Sequence, residues 1–192
     1  MVGKKNQNLL LIVILLLVLP LIVVACGDDD DDDNGGSSDL SQTFEGAGYK
    51  VQLPEGWEAS AEGSELMIAS KEGILDSTEG PQKGEFALMV MATPMSDLEG
   101  MEAKAAFEMM AGFMASESGD ESAAPEVKDI KLGDTDAYRV DMSMEEDSDG
   151  FIIGFEQGDN MIIVAGVSAK GELGDHEDTA LKIIETLEYT AP

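Results

Sequence analysis

Apolar and polar residues alternate along much of the chain beyond residue 48, and that alternation predicts strands. Residues 49–53 (YKVQL) put Tyr49, Val51 and Leu53 on one side and stop at Pro54. Glu55-Gly56 is a turn ahead of Trp57, and residues 65–70 (ELMIAS) form a second strand. Residues 74–84 are interrupted by Gly and Pro and read as a loop. Residues 86–92 (FALMVMA) are apolar on both faces, the pattern of a strand in the middle of a sheet.

The period then changes. Ser96-Asp97-Leu98-Glu99 spells a capping box, with the serine accepting a backbone N–H and the glutamate reaching back. It predicts a helix to about residue 116, with Leu98, Met101, Ala105, Met109 and Phe113 as its buried stripe. Residues 117–126 are a polar loop containing Pro125. Residues 127–132 predict a short strand turning at Gly133-Asp134. Strands over 137–144, 151–157 and 161–169 follow, joined by turns at 146–150 and 158–160, as an antiparallel meander. A closing helix is predicted over 176–187, with Asp175 as N-cap and Leu181, Ile184 and Leu187 facing inward. Strands in runs with two helices inserted specify an α+β class built on an antiparallel sheet.

The amino-terminal part follows neither period. Lys4 and Lys5 precede residues 9–25, apolar throughout except at Pro20. That run is at the lower limit for a bilayer span and fits the h-region of a secretory signal. Val23-Val24-Ala25-Cys26 follows at once and resembles the bacterial lipobox, with an aliphatic residue three before the cysteine and a small residue just before it. The resemblance implies a diacylglycerol thioether on Cys26, cleavage before it, and acylation of the new amino group by a fatty acid such as palmitate. Two or three chains hold firmly at about 0.8 kcal/mol per buried CH₂. Residues 27–43 (GDDDDDDNGGSSDLSQT) are a self-repelling, flexible tether. The organisation expected is a signal peptide over 1–25, lipidated Cys26 with an acidic linker to residue 43, and one domain over 44–192. The location expected is the cell membrane, on its extracytoplasmic face.

Composition narrows the functional classes. With 40 acids against 11 bases, the net charge is −29. Nucleic-acid phosphates and anionic lipid headgroups repel such a surface. One Cys leaves no internal disulfide and no Cys-rich zinc site.

Element order adds a resemblance. LPEGW (residues 53–57), two strands, a helix, a YRVDM strand (residues 138–142) and a meander ending in an amphipathic helix are together similar to PsbP-like domains, over residues 44–190. These are related to an extrinsic photosystem II subunit, and bacteria carry many as lipoproteins. The resemblance implies an α/β/α sandwich around an antiparallel sheet flanked by helices.

Candidate chemistry is sparse. Glu145, Asp147, Asp149, Gly150, Ile152 and Glu156 fall at EF-hand positions 1, 3, 5, 6, 8 and 12. The metal candidates are therefore Glu145, Asp147, Asp149 and Glu156, as ligands for weakly bound Ca²⁺ or another divalent cation. The flanks alternate as strands rather than helices, so an ordinary solvated hairpin turn is the competing reading. Twelve methionines offer core filling, an apolar groove for a helix or ligand, or thioethers for Cu(I). His176 stands alone beside carboxylates, in a capping or surface role. Ser168 and Lys170 are too common a pairing to signal a nucleophile, and no nucleophile elbow or Walker loop occurs. The function expected is a non-enzymatic binding or scaffold domain for an envelope protein or small ligand, with no catalytic residue and no cofactor.

Overall fold

Residues that alternate along one face make half-buried strands; residues apolar on both faces make a wall between two cores. Both patterns are present in the computed structural model, which describes residues 39–77, 80–98, 100–117, 126–144 and 148–191, without the side chains of 114–117 and 143–144. These residues lie within one compact unit, Gly36–Pro192. Cys26 and residues 27–38, expected to be a tether, lie outside them.

Among the described residues the order is β1 (Leu40–Gly46), β2 (Tyr49–Pro54), β3 (Glu58–Glu62), β4 (Glu65–Ala69), β5 (Phe86–Pro94), a 3-10 turn (Met95–Leu98), α1 (Ala103–Glu117), β6 (Lys128–Leu132), β7 (Thr135–Met144), β8 (Ser148–Gln157), β9 (Asn160–Ala169), α2 (Leu173–Glu185) and β10 (Glu188–Tyr189). Seven strands form one antiparallel sheet in the order β3-β4-β5-β9-β8-β7-β6, and β1-β2-β10 form a second. The fold is α+β, with the large sheet flanked by a helix on each face.

Alternation along β9 assigns the two faces. Ile162 and Val164 point into a core shared with Phe86, Leu88, Phe151, Ile153, Ile183 and Ile184, which α2 and the small sheet cover. Met161, Ile163 and Ala165 point the other way, into a smaller core closed by Ala103, Phe107 and Ala111 of α1. Phe107 is fully buried because β8 offers it Gly154. A Cβ there would strike the Phe107 ring and come within 2.9 Å of Met161 Cε.

Several expectations are corrected. β1 starts at Leu40, inside the stretch read as linker to residue 43. Its polar residues sit on an exposed edge and need only a partner; Phe44 pairs with Val51, and Gln42 Nε2 donates to the Pro54 carbonyl. Strands β3 and β10 were not anticipated, being short and polar.

The capping box starts no α-helix. Ser96 Oγ donates to Asp97 Oδ1 within the 3-10 turn, and Gly100, at φ +78°, turns the chain before α1 begins at Ala103. Glu99 lies outside the described residues. The later start rotates the helix. Ala103, Ala106, Phe107 and Ala111 are buried, whereas Met109 and Phe113 of the expected stripe are 59% and 63% exposed. Similarly, α2 begins at Leu173 with Glu172 at the N-cap position. Asp175 is in its first turn, where a carboxylate suits the helix dipole. Ile184 and Leu187 are buried as expected, joined by Ala180 and Ile183, while Leu181 is partly buried.

Gly154→Ala should lower the unfolding free energy by about 1–3 kcal/mol through overpacking. Phe107→Ala should cost about 3–5 kcal/mol. The double variant should lose clearly less than the two losses added, because each removes the other's clash or gap. Urea unfolding of the four proteins checks this.

Candidate functional site

The chain's only arginine lies in β7, on the same face as Ala137 and so under α2. Its guanidinium lies 5.1 Å from the centre of the Phe151 ring on the neighbouring strand. Arg139 Nε donates to Asp141 Oδ1 and Nη1 donates to Glu177 Oε1 of α2, each at 2.6 Å. The Arg139 side chain is only 12% exposed. Lys128, paired with Arg139 across β6 and β7, donates from Nζ to Asp141 Oδ2 at 2.6 Å. One carboxylate thus bridges two cations while a second ties the helix to the sheet.

The electrostatics follow from this packing. Burial disfavours the Arg139 charge, but the bonds to Glu177 and Asp141 outweigh it and hold the guanidinium above its ordinary value. Burial pushes the Asp141 carboxyl up, but hydrogen bonds from Lys128 and Arg139 outweigh that and keep it below the usual carboxylate range. Lys128 is raised by its bond to Asp141.

A depression of about 490 Å³ opens beside this cluster, lined by Arg139, Asp141, Asp149, Glu177, Leu173 and Gly174 among others. At its far wall Asp149 Oδ2 accepts from the Gly171 N–H at 2.7 Å. Gly171 holds φ +82° there, in the region that favours glycine. The depression presents three carboxylates and a largely buried guanidinium, the means to hold a polar ligand by hydrogen bonds and charge.

Of the metal candidates from the sequence that are described, Asp149 lines this depression and Glu156 does not. Glu145 and Asp147 lie outside the described residues. Asp149 and Glu156 are both on β8, seven residues apart and on opposite faces of the sheet, so one ion does not reach both; the strand separates them by about 23 Å. Among the described residues, no three His, Cys, Asp or Glu side chains are placed to hold a metal ion. His176, in the first turns of α2, is half-buried, and its ring stacks on Phe86 with centroids 5.3 Å apart. Ser168 is fully buried, and its hydroxyl donates to the Ala169 carbonyl. The Arg139 cluster was missed because its members are far apart in sequence. Only the Arg139-x-Asp141 spacing was local; Glu177 arrives from 38 residues away.

No family model and no curated protein matches the chain. Solved structures do. A Mog1 E65A mutant superposes with a TM-score of 0.51 at 9% identity, over 77% of this chain and 95% of that one. CyanoP, the cyanobacterial PsbP of Synechocystis sp. PCC 6803, gives 0.48 at 13% identity, over 83% and 98%. A protein from Bacteroides thetaiotaomicron VPI-5482 gives 0.46 at 13% identity over 79% of this chain; the chain spans about half of that protein, 49%. At these identities the likeness is one of fold, and the α+β sandwich expected from the sequence is the fold observed.

Asp141→Asn should test the cluster through pH. A carboxyl held low stabilises the folded state above its unfolded value, near pH 4, and that contribution fades as pH falls through the lowered folded value. Asp141 is 43% exposed, so the cost at neutral pH should stay under about 1 kcal/mol. Urea unfolding from pH 7 downward should show the gap between wild type and variant closing in acid.

Proposed function

We propose that the chain is a lipid-anchored extracytoplasmic lipoprotein whose folded domain is a non-enzymatic binding or scaffold module for an envelope protein or small ligand. One observation carries this reading: a basic n-region, an apolar run, a small residue and the only cysteine occur in register over residues 4–26. Supporting it, residues 27–39 between Cys26 and β1 are rich in Asp, Gly and Ser and reach at most about 45 Å when extended. Self-repulsion among Asp28 to Asp33 favours that extension, which would hold the domain away from an anionic bilayer.

The binding reading rests on the depression beside Arg139. Its polar groups suit recognition by charge and hydrogen bonding, while the two side chains considered for chemistry are spent on packing, Ser168 inside the core and His176 against Phe86. Affinity there would depend on the Asp149, Asp141 and Glu177 carboxylates.

Cys26→Ser should release the protein from sedimented membranes into the soluble fraction, whereas wild type should stay with the membranes. Mass spectrometry of native wild type should find residues 1–25 removed and lipid mass on Cys26. An unmodified thiol, or a leader still attached, would overturn the anchor.

A further inference from the structure

Among the described residues, the face of the large sheet that carries α1 is only partly covered. Lys104 of α1 donates to Asp129 of β6 and lies 5.6 Å over the Tyr138 ring of β7, which fixes one flank of the helix over that edge. Met109 and Phe113, five and nine positions on, fall on the opposite flank at 3.6 residues per turn. That flank leans toward β9 and β5. There the sheet shows Met67, Met89 and Met91, all only half-buried and on the α1 face. Met67 lies directly opposite Met89. A shelf of thioethers on β4 and β5 thus continues into the exposed Met109 and Phe113 of α1.

The rim of this shelf is acidic. Glu65 lies opposite Met91, and Glu62 lies opposite Glu65, all on the same face. Glu62 and Glu65 are exposed, as is Glu102 at the start of α1. Like charges directly opposite each other in a sheet are destabilising. A cation from outside would relieve that repulsion. Methionine surfaces adapt to varied apolar side chains, and a carboxylate rim selects basic flanks.

We propose that this shelf docks a basic amphipathic helix from a partner protein, with its apolar side on the methionines and its Lys or Arg side chains at Glu62, Glu65 and Glu102. A second copy of the chain fits poorly, since each carries a net charge of −29. The inference stands whether or not Cys26 is lipidated, and it uses a different face from the depression beside Arg139.

Calorimetric titration of the full-length chain with a designed Leu/Lys amphipathic peptide tests it. Saturable one-site binding that weakens with salt is expected. Met109→Glu, at an exposed position, and Met89→Gln should each weaken it about tenfold or more while circular dichroism stays unchanged. A Lys/Ser peptide of the same charge should bind at least about tenfold more weakly than the Leu/Lys peptide. Equal binding of the Lys/Ser peptide would overturn the proposal as mere counter-charge attraction to the tether. So would absence of binding, or affinity untouched by Met109→Glu in a folded protein. Self-association abolished by Met109→Glu, or adsorption to zwitterionic vesicles abolished by it, would reassign the shelf to a second copy or to lipid.

Discussion

β9 is a single strand made to serve two cores, and the described domain depends on that constraint. Fourth among seven strands, it has the α2 layer on one side and α1 on the other. Neither face tolerates a polar side chain without a partner, so Met161 to Ala165 are apolar without a break. A slip of one residue against β5 or β8 would exchange Ile162 and Val164 with Met161 and Ile163, moving side chains fitted to one core into the other. Two glycines reinforce the register. Gly154 on β8 gives Phe107 its seat, and Gly166 on β9 does the same for the Phe151 ring on the opposite face. Each works only if the strands are aligned as observed.

Charge is the second organising feature. A chain with 40 acids and 11 bases repels itself when compact. Several of its cations are held in pairs: Lys50 with Glu45, Lys71 with Glu85, Lys104 with Asp129, Lys131 with Asp136. Exposed pairs of this kind contribute little individually. Arg139 differs because it is sheltered, stacked on Phe151 and held by two carboxylates, one from the strand and one from α2. Its planar fork suits that double contact in a way a lysine would not. The same contacts shape one wall of the open depression, so the feature that pins α2 to the sheet also places charged groups in that depression.

Methionine divides between these layers. Met161 is buried in the smaller core, whereas Met67, Met89 and Met91 are half-covered and Met109 is exposed. The division follows the position of α1. Its contact face is mostly alanine, which brings the helix close to the sheet around Phe107 and, among the described residues, leaves the β4–β5 end of that face without an α-helix above it. The small sheet and α2 cover the opposite face more completely, which explains why the larger core lies there.

Local pattern was enough for the strands that alternate or are apolar on both sides, for the antiparallel meander, for the α+β class and for the place of α2. These are properties of neighbouring residues, and the period of the backbone converts them directly into faces. The lipobox-like run ending at Cys26 is likewise a linear feature, and so is the run of aspartates after it. Tertiary structure alone decided the rest. β1 and β3 form because an exposed polar edge still gains a ladder partner. The helix that Ser96 was expected to start begins at Ala103 because Gly100 turns the chain, and Phe107 faces inward because a distant glycine admits it. Asp149 and Glu156 share a loop-like spacing but not a place, since a strand carries residues an odd number apart to opposite faces. Arg139, Asp141 and Glu177 meet because the sheet and α2 pack together, and residues separated so far along the chain leave no periodic trace of the charge pairing that joins them.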